Sequence, residues 1–368
     1  MKSIALLFCF SISASAVPVF IGTNTGGKST SKGIYLADFD DSTGKLTVPS
    51  LAIEYKNPGF LALHPTKKII YACGQPNKEF ADKTDSVAAF SVDEKNALTF
   101  LGETSSGGQG ACHVAVDGTG RTAAVANYGD GSYATVKLDS EGKPVEIASL
   151  IQSKGSGPNP SRQEGPHAHG VYFNLANDRF YMPDLGIDQV IVHPFDAATS
   201  KLGEPLPPIK SAPGAGPRHI AFSPDEKNIY VLNELDNTVL TINSDGTSLV
   251  AGDVVPTLPA DYKEGNSTAE IEVHPSGKFV YVSNRGLNTI AAFSRNTSTG
   301  KLEFLQQANC GGKIPRHFKI APSGRWLLCA HQDSSTISVL SLDPETGLLG
   351  EPSNTVESPT PICILFGK

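Results

Sequence analysis

Apolar positions fall in short runs without the three-and-four spacing of a helix, as at residues 289–293, and are read as strands. Turns rich in Gly, Pro, Asn and Asp separate them, the punctuation of β-strands rather than of helices. One phrase recurs: a turn resembling His-Pro-Ser-Gly-Lys, a short apolar strand, Asn with a polar neighbour, then another alternating strand. Copies read HPTKKIIYACGQ from His64, DGTGRTAAVANYGDGSYATVKLD from Asp117 and NLANDRFYMPDLGIDQVIVHPFD from Asn174. Three more read SPDEKNIYVLNELDNTVLTIN from Ser223, HPSGKFVYVSNRGLNTIAAFSR from His274 and APSGRWLLCAHQDSSTISVLSL from Ala321. Successive starts lie 47 to 57 residues apart. A period of about 50 built of short strands predicts the four-stranded blades of a β-propeller, an all-β fold.

The two ends supply the remaining blade. VPVFIGTN from Val17 matches the second strand of the repeat, KGIYLADFD from Lys32 matches the third, and PICILFG from Pro361 matches the innermost strand GFLALH from Gly59. The expected architecture is a single seven-bladed domain over residues 17–368, closed by pairing of the N- and C-terminal strands, which removes an exposed sheet edge. A ring without free edges is expected to be a monomer.

In a blade the first strand lines the channel and the second runs antiparallel beside it, so first-strand starts and second-strand ends meet at one rim. In register, the first row holds Cys112, His113, His169, Arg218, His219, Glu270, Arg316 and His317. The second holds Asn127, Asp184, Asn233, Glu234, Asn284, Arg285, His331 and Gln332. Clustered charges in a concave site are costly without a task, which marks this mouth as the candidate site. The asparagines are ambiguous, since Asn at a strand end also serves turns. His64 and His274 fall in blade turns and are expected to be solvated.

Composition narrows the partners. There are 30 Lys and Arg against 37 Asp and Glu, with no basic run, which argues against nucleic acid or an anionic membrane. Lys2, an apolar run at residues 4–10 and the small residues Ala14, Ser15 and Ala16 form the pattern of a signal peptide over residues 1–16. Export is therefore expected, periplasmic or secreted, with no membrane association after cleavage. Five cysteines remain beyond it, Cys73, Cys112, Cys310, Cys329 and Cys363, without CxxC spacing. They are expected to be buried small residues with room for one or two bridges, and no metal or cofactor is expected.

The rim offers anion recognition and acid–base chemistry. Arg218, Arg285 and Arg316 present planar forks for carboxylate or phosphate, and Glu234 and His169 are candidate proton-transfer groups. No G-x-S-x-G elbow, HExxH helix or calcium loop occurs.

These residues also carry a resemblance. SGPNPSRQEGPHAH from Ser156, with ACHVAV from Ala111, GPRH from Gly216, NELD from Asn233, SNRG from Ser283 and PRHF from Pro315, resembles the seven-bladed lactonase family. That family includes propeller-type 6-phosphogluconolactonases and carboxy-cis,cis-muconate cyclases. The resemblance implies His169, Arg218, Glu234 and Arg285 as catalytic residues. Around them, His113, Asn127, His167, Asp184, His219, Asn284, Arg316, His317 and Gln332 are expected to bind substrate, a small lactone or anionic sugar acid. Three functions are open: hydrolysis of a sugar lactone, lactonisation of an unsaturated dicarboxylate, or a non-catalytic binding propeller. An export signal favours an unphosphorylated lactone over a cytoplasmic phosphorylated one.

Overall fold

A computed structural model describes residues 16–78, 80 and 82–368. The expected signal segment lies, apart from Ala16, outside the described residues. Seven antiparallel sheets of four or five strands are arranged as successive blades. The first is composite: Val17–Thr23 pairs on one side with Gly33–Asp40 and on the other with Pro361–Phe366, so the chain's last strand is the innermost strand of its first blade. Blades 2 to 7 then follow in sequence order. Second strands are the most completely buried. Ile69–Gly74, Thr122–Asn127 and Asn228–Asn233 are buried at every position, because they lie inside their own sheet and between neighbouring blades. The hydrophobic core is correspondingly a ring of clusters, each combining side chains of two adjacent blades.

Polar contacts repeat around the ring with the blades. Tyr71, Tyr230 and Tyr281 each donate a hydroxyl to a hairpin carbonyl of the next blade, at Gly142, Gly300 and Gly347. Those three glycines have φ of +87°, +75° and +74°, a backbone shape that L side chains resist. His64 and His274, expected to be solvated, are instead buried. The Nε2–H of each donates to the glycine carbonyl of the next blade's corresponding turn, Gly120 O at 3.0 Å and Gly324 O at 2.9 Å. Each Nδ1 accepts turn N–H groups, at Thr66 and Lys67 or at Ser276. The turn signature read from the sequence is thus also an interblade pin.

Two departures from regular pairing shape the mouth. In blade 4 the inner strand shrinks to Tyr172–Phe173, and His169 sits in irregular chain before it, anchored by a bridge from Ala168 to Asp184. In blades 1, 3, 5 and 7 the inner strand carries one extra residue where it reaches the rim. Pro217 faces Asn233 and His219 faces Leu232, leaving Arg218 unpaired. Cys112, Arg316 and Ile362 are bulged in the same way. A bulge bends the strand and re-aims its side chain, so consecutive residues such as Arg218 and His219 both contribute to the channel.

Because the closing strand pairs with Val17–Thr23 and packs Ile364 and Phe366 into the cluster between blades 7 and 1, its loss should be global. Deleting residues 361–368 is expected to lower the melting temperature of the entire chain in one transition. A truncated protein that melts like the parent would refute this closure.

Candidate active site

Glu234 follows the second strand of blade 5, and its backbone N–H is held by the Gly216 carbonyl at 2.7 Å. Its buried carboxylate meets three guanidinium groups. Arg162 Nη2 lies 2.7 Å from Oε1, while Arg285 Nη2 and Arg218 Nε lie 2.9 and 3.1 Å from Oε2. Burial pushes the Glu234 carboxyl up, but Arg285, Arg218 and Arg162 overcome it and hold the pKa at about 2. Glu234 is therefore a carboxylate throughout the neutral range.

Arg218 is fixed from two further sides. Its Nη1 lies 3.3 Å from His169 Nδ1 and 3.2 Å from His219 Nε2. Arginine only donates, so both ring nitrogens accept. His219 then carries its proton on Nδ1 and donates it to Glu270, 3.1 Å away, and His317 Nε2 approaches the same carboxylate at 3.4 Å. His169 correspondingly carries its proton on Nε2, 3.9 Å from Glu234 Oε2. Burial, reinforced by Arg218, pushes the His169 pKa well below the usual histidine value, so the ring is neutral. Cys112 lies beside it, and burial raises its thiol to about 11, which keeps it protonated.

Two adjoining cavities open here. One, of about 170 Å³, lies over the channel and is lined by Phe60, Ile362, Cys112, His169, Arg218, His219, Arg316 and His317. The other, of about 320 Å³, is lined by Tyr128, Arg162, Glu234, Arg285, Cys112, His169 and Arg316. Arg316, on its bulge, borders both. It has no ion-pair or hydrogen-bond partner among the described residues. Arg285 also keeps a buried Nε–H group without an acceptor, and the Arg218 Nε–H, although 3.1 Å from Glu234 Oε2, is not aligned for a hydrogen bond to it. The cluster holds four guanidinium charges against one carboxylate and is short of acceptors.

Of the residues expected from the sequence, the structure brings His169, Arg218, Glu234 and Arg285 into mutual contact, with His219, Arg316 and His317 around them. His113 lies deeper, in a separate channel cavity with Tyr172 and Glu270. Asn127, Asp184, His167, Asn284 and Gln332 line neither mouth cavity. Asn127 donates to Ser106 O and Ser132 Oγ, and Asn284 to Thr257 O, so both hold backbone segments next to their strand ends rather than facing the mouth. Asp184 accepts the N–H groups of His167 and Gly186, and His167 stacks on Tyr128 with ring centroids 4.4 Å apart. These two support the loop above the mouth.

That loop supplies the residue that strand register missed. Residues 154–166 arch over the rim between blades 3 and 4. Asn159 accepts the N–H groups of Arg162 and Gln163, and Gln163 bonds Leu185 O and Asp188, turning Arg162 toward Glu234. Arg162 lies within the SGPNPSRQEGPHAH segment, the one signal that pointed to it. All five cysteines beyond Ala16 are free thiols, so no bridge forms.

The sequence model described as "Lactonase, 7-bladed beta-propeller" matches residues 18–366. The chain belongs to that family. A 6-phosphogluconolactonase of Bacillus subtilis (strain 168) is 34% identical over 354 residues, spanning 94% of this chain and 97% of its own. A periplasmic gluconolactonase structure from Pseudomonas aeruginosa superposes with a TM-score of 0.87 at 25% identity, covering 96% of this chain and 99% of that one. A putative 6-phosphogluconolactonase from Bacteroides fragilis gives 0.87 at 29% identity, covering 97% and 99%. The similarity to these proteins runs the length of the propeller.

The Glu234 cluster has a measurable stability signature. A carboxyl depressed in the folded state stabilises above its unfolded pKa, and that contribution fades as pH falls toward the folded value. The stability difference between the parent and Glu234→Gln is expected to be constant at neutral pH and to shrink between about pH 4.5 and pH 2. Acid titrations of chemical unfolding check it, and a difference independent of pH would place Glu234 outside the ion cluster.

Proposed function

We propose that this protein hydrolyses the lactone of a sugar acid at the rim, outside the cytoplasm, without metal chemistry. The observation that carries the reading is the shortage of acceptors: Arg316 without a partner among the described residues, beside the unsatisfied Nε–H group of Arg285. Fixed donors around an open cavity suit a carbonyl oxygen that becomes an oxyanion, and then a carboxylate product. The names of the relatives above, both phosphorylated- and unphosphorylated-lactone enzymes, support a lactone as substrate. The sequence pattern of residues 1–16 and the periplasmic relative support export and an unphosphorylated ring. The excess of positive charge at the mouth is what favours the phosphorylated alternative.

In this mechanism water attacks the lactone carbonyl. Negative charge builds on the carbonyl oxygen and is met by Arg316 and the free guanidinium N–H groups, already oriented by Glu234, His169 and His219. The carbon–oxygen bond to the ring oxygen breaks while His169 Nε2–H donates a hydrogen bond to that oxygen, which takes its proton from solvent in the open cavity. The proton lost by the attacking water passes to the same solvent. A carboxylate held at about pKa 2 is a weak base, so Glu234 acts chiefly as a positioning residue for three arginines. Electrostatic preorganisation supplies most of the acceleration.

Acid release from a panel of aldonolactones, with and without phosphate groups, tests the reaction and ranks the substrates. Absence of turnover on the whole panel would leave a binding propeller. Within an active panel, Arg316→Ala is expected to raise KM by about tenfold or more and to weaken inhibition by gluconate or phosphate. Glu234→Gln is expected to raise KM while kcat stays within a few fold. A kcat loss of roughly 100-fold at unchanged KM would instead make Glu234 the base. Because His169 is neutral and Glu234 ionised at neutral pH, kcat/KM should show no limb near pH 6.5.

A further inference from the structure

Away from the acceptor-poor cluster, one group of chemically reactive side chains has no part in the proposed reaction. Cys310 follows Leu302–Asn309, the outer strand of blade 6. Cys329 and His331 lie on Trp326–His331, the second strand of blade 7, two residues apart and therefore on one face. All three are fully buried, and their ligating atoms lie within 4.8 Å of one another. His331 Nδ1 is 3.9 Å from both sulfurs.

The proton arrangement follows from the neighbours. Ser338 donates its hydroxyl to the Cys310 carbonyl at 2.5 Å, so its oxygen accepts from His331 Nε2–H at 2.9 Å. The imidazole is thereby locked with its Nδ1 lone pair directed at two thiols. Metal-binding histidines are held in this way, the second nitrogen donating to a fixed oxygen. Bond lengths of roughly 2.3 and 2.0 Å to one ion would set nitrogen and sulfur about 3.5 Å apart in tetrahedral and about 3.7 Å apart in trigonal geometry, a contraction of a few tenths of an ångström from the metal-free separation. Local sequence permits the approach: a Cβ on Gly312 would fall 2.3 Å from His331 Cγ, so only glycine lets the chain after Cys310 fold over the ring.

We propose that Cys310, Cys329 and His331 bind a soft d¹⁰ cation, Zn(II) or Cu(I), as a structural clamp between blades 6 and 7. Thiolate with imidazole selects these ions over hard cations. For zinc the step balances as two thiols and Zn(II) giving a neutral Zn–S₂N unit and two released protons, which suits a site without solvent. The Asn288 carbonyl, 2.9 Å from Cys310 Sγ, is the nearest oxygen for a further position. The clamp has a functional direction. Residues 311–315 alone connect Cys310 to Arg316, so tying Cys310 to blade 7 would stiffen the segment that presents Arg316 to the mouth.

The test uses the full reduced chain and reads binding rather than turnover. Cobalt(II) as a spectroscopic probe is expected to give thiolate charge-transfer absorption saturating at one ion per chain. Zinc added to the metal-free chain should release two protons, and it should displace bound cobalt and raise the melting temperature by about 3 °C or more at tenfold excess. Parallel titration with Cu(I) under reducing conditions tells which of the two ions is preferred. Cys310→Ser and Cys329→Ser, nearly isosteric, should each abolish the absorption while melting like the metal-free parent. If a variant fails to fold, protection of Cys310 and Cys329 from alkylation in the zinc-loaded parent during partial unfolding supplies the same readout. Absence of a thiolate band, a band that survives both substitutions, or a disulfide joining Cys310 to Cys329 would each overturn the proposal.

Discussion

The pairing of Val17–Thr23 with Pro361–Phe366 turns a row of blades into a ring, and every feature of the mouth presupposes it. The residues that meet there come from different blades: Cys112 from blade 3, His169 from blade 4, Arg218 and Glu234 from blade 5, Arg285 from blade 6 and Arg316 from blade 7. None of these elements is close to the others in sequence, so only a closed and rigid circle fixes the distances between them. Tyrosine and histidine contacts repeated from blade to blade maintain that rigidity with hydrogen bonds that leave no tautomer or rotamer to choose. Closure also pairs the inner edge of Val17–Thr23, which would otherwise lie open.

Within the circle, one carboxylate organises the charge. Bringing Arg162, Arg218 and Arg285 together without Glu234 would set three like charges within reach of one another in a poorly solvated site. Glu234 offsets that repulsion incompletely, and incompleteness is the useful property. A fully neutralised cluster would have no affinity for an anion, whereas this one retains a surplus directed at the cavity through Arg316. His169 and His219 contribute by staying uncharged: as acceptors they hold Arg218 without cancelling its charge.

The fold was legible because its signals are local and repeated. A turn phrase recurring about every 50 residues gives the blades, and antiparallel pairing within each blade places strand ends on one rim. Register set His169 and Arg218 in one rim row and Glu234 and Arg285 in the other, and the family resemblance singled these four out from their neighbours there. What escaped had no such register. Arg162 reaches the site from an arching loop, where strand arithmetic says nothing. The solvated reading of His64 and His274 failed because a turn looks exposed until the next blade covers it. Asn127 and Asn284 share the rim rows with the charged residues, yet Asn127 bonds Ser132 of its own hairpin and Asn284 bonds Thr257 in the segment leading into blade 6. Cys310 and the Cys329–His331 pair belong to different blades, and no sequence spacing announces a contact made by ring geometry.

The bulges separate what the propeller needs from what its mouth does. Arg218, Arg316, Cys112 and Ile362 are each the surplus residue opposite a single partner, outside the ladder that holds the blade together. A change of side chain at such a position removes no rung of the strand ladder, even where, as at Arg218, the side chain itself reaches a neighbouring blade. The scaffold therefore carries a set of interchangeable sockets around one opening. Descendants of a single ring can drift from one small molecule to another there while the architecture stays constant.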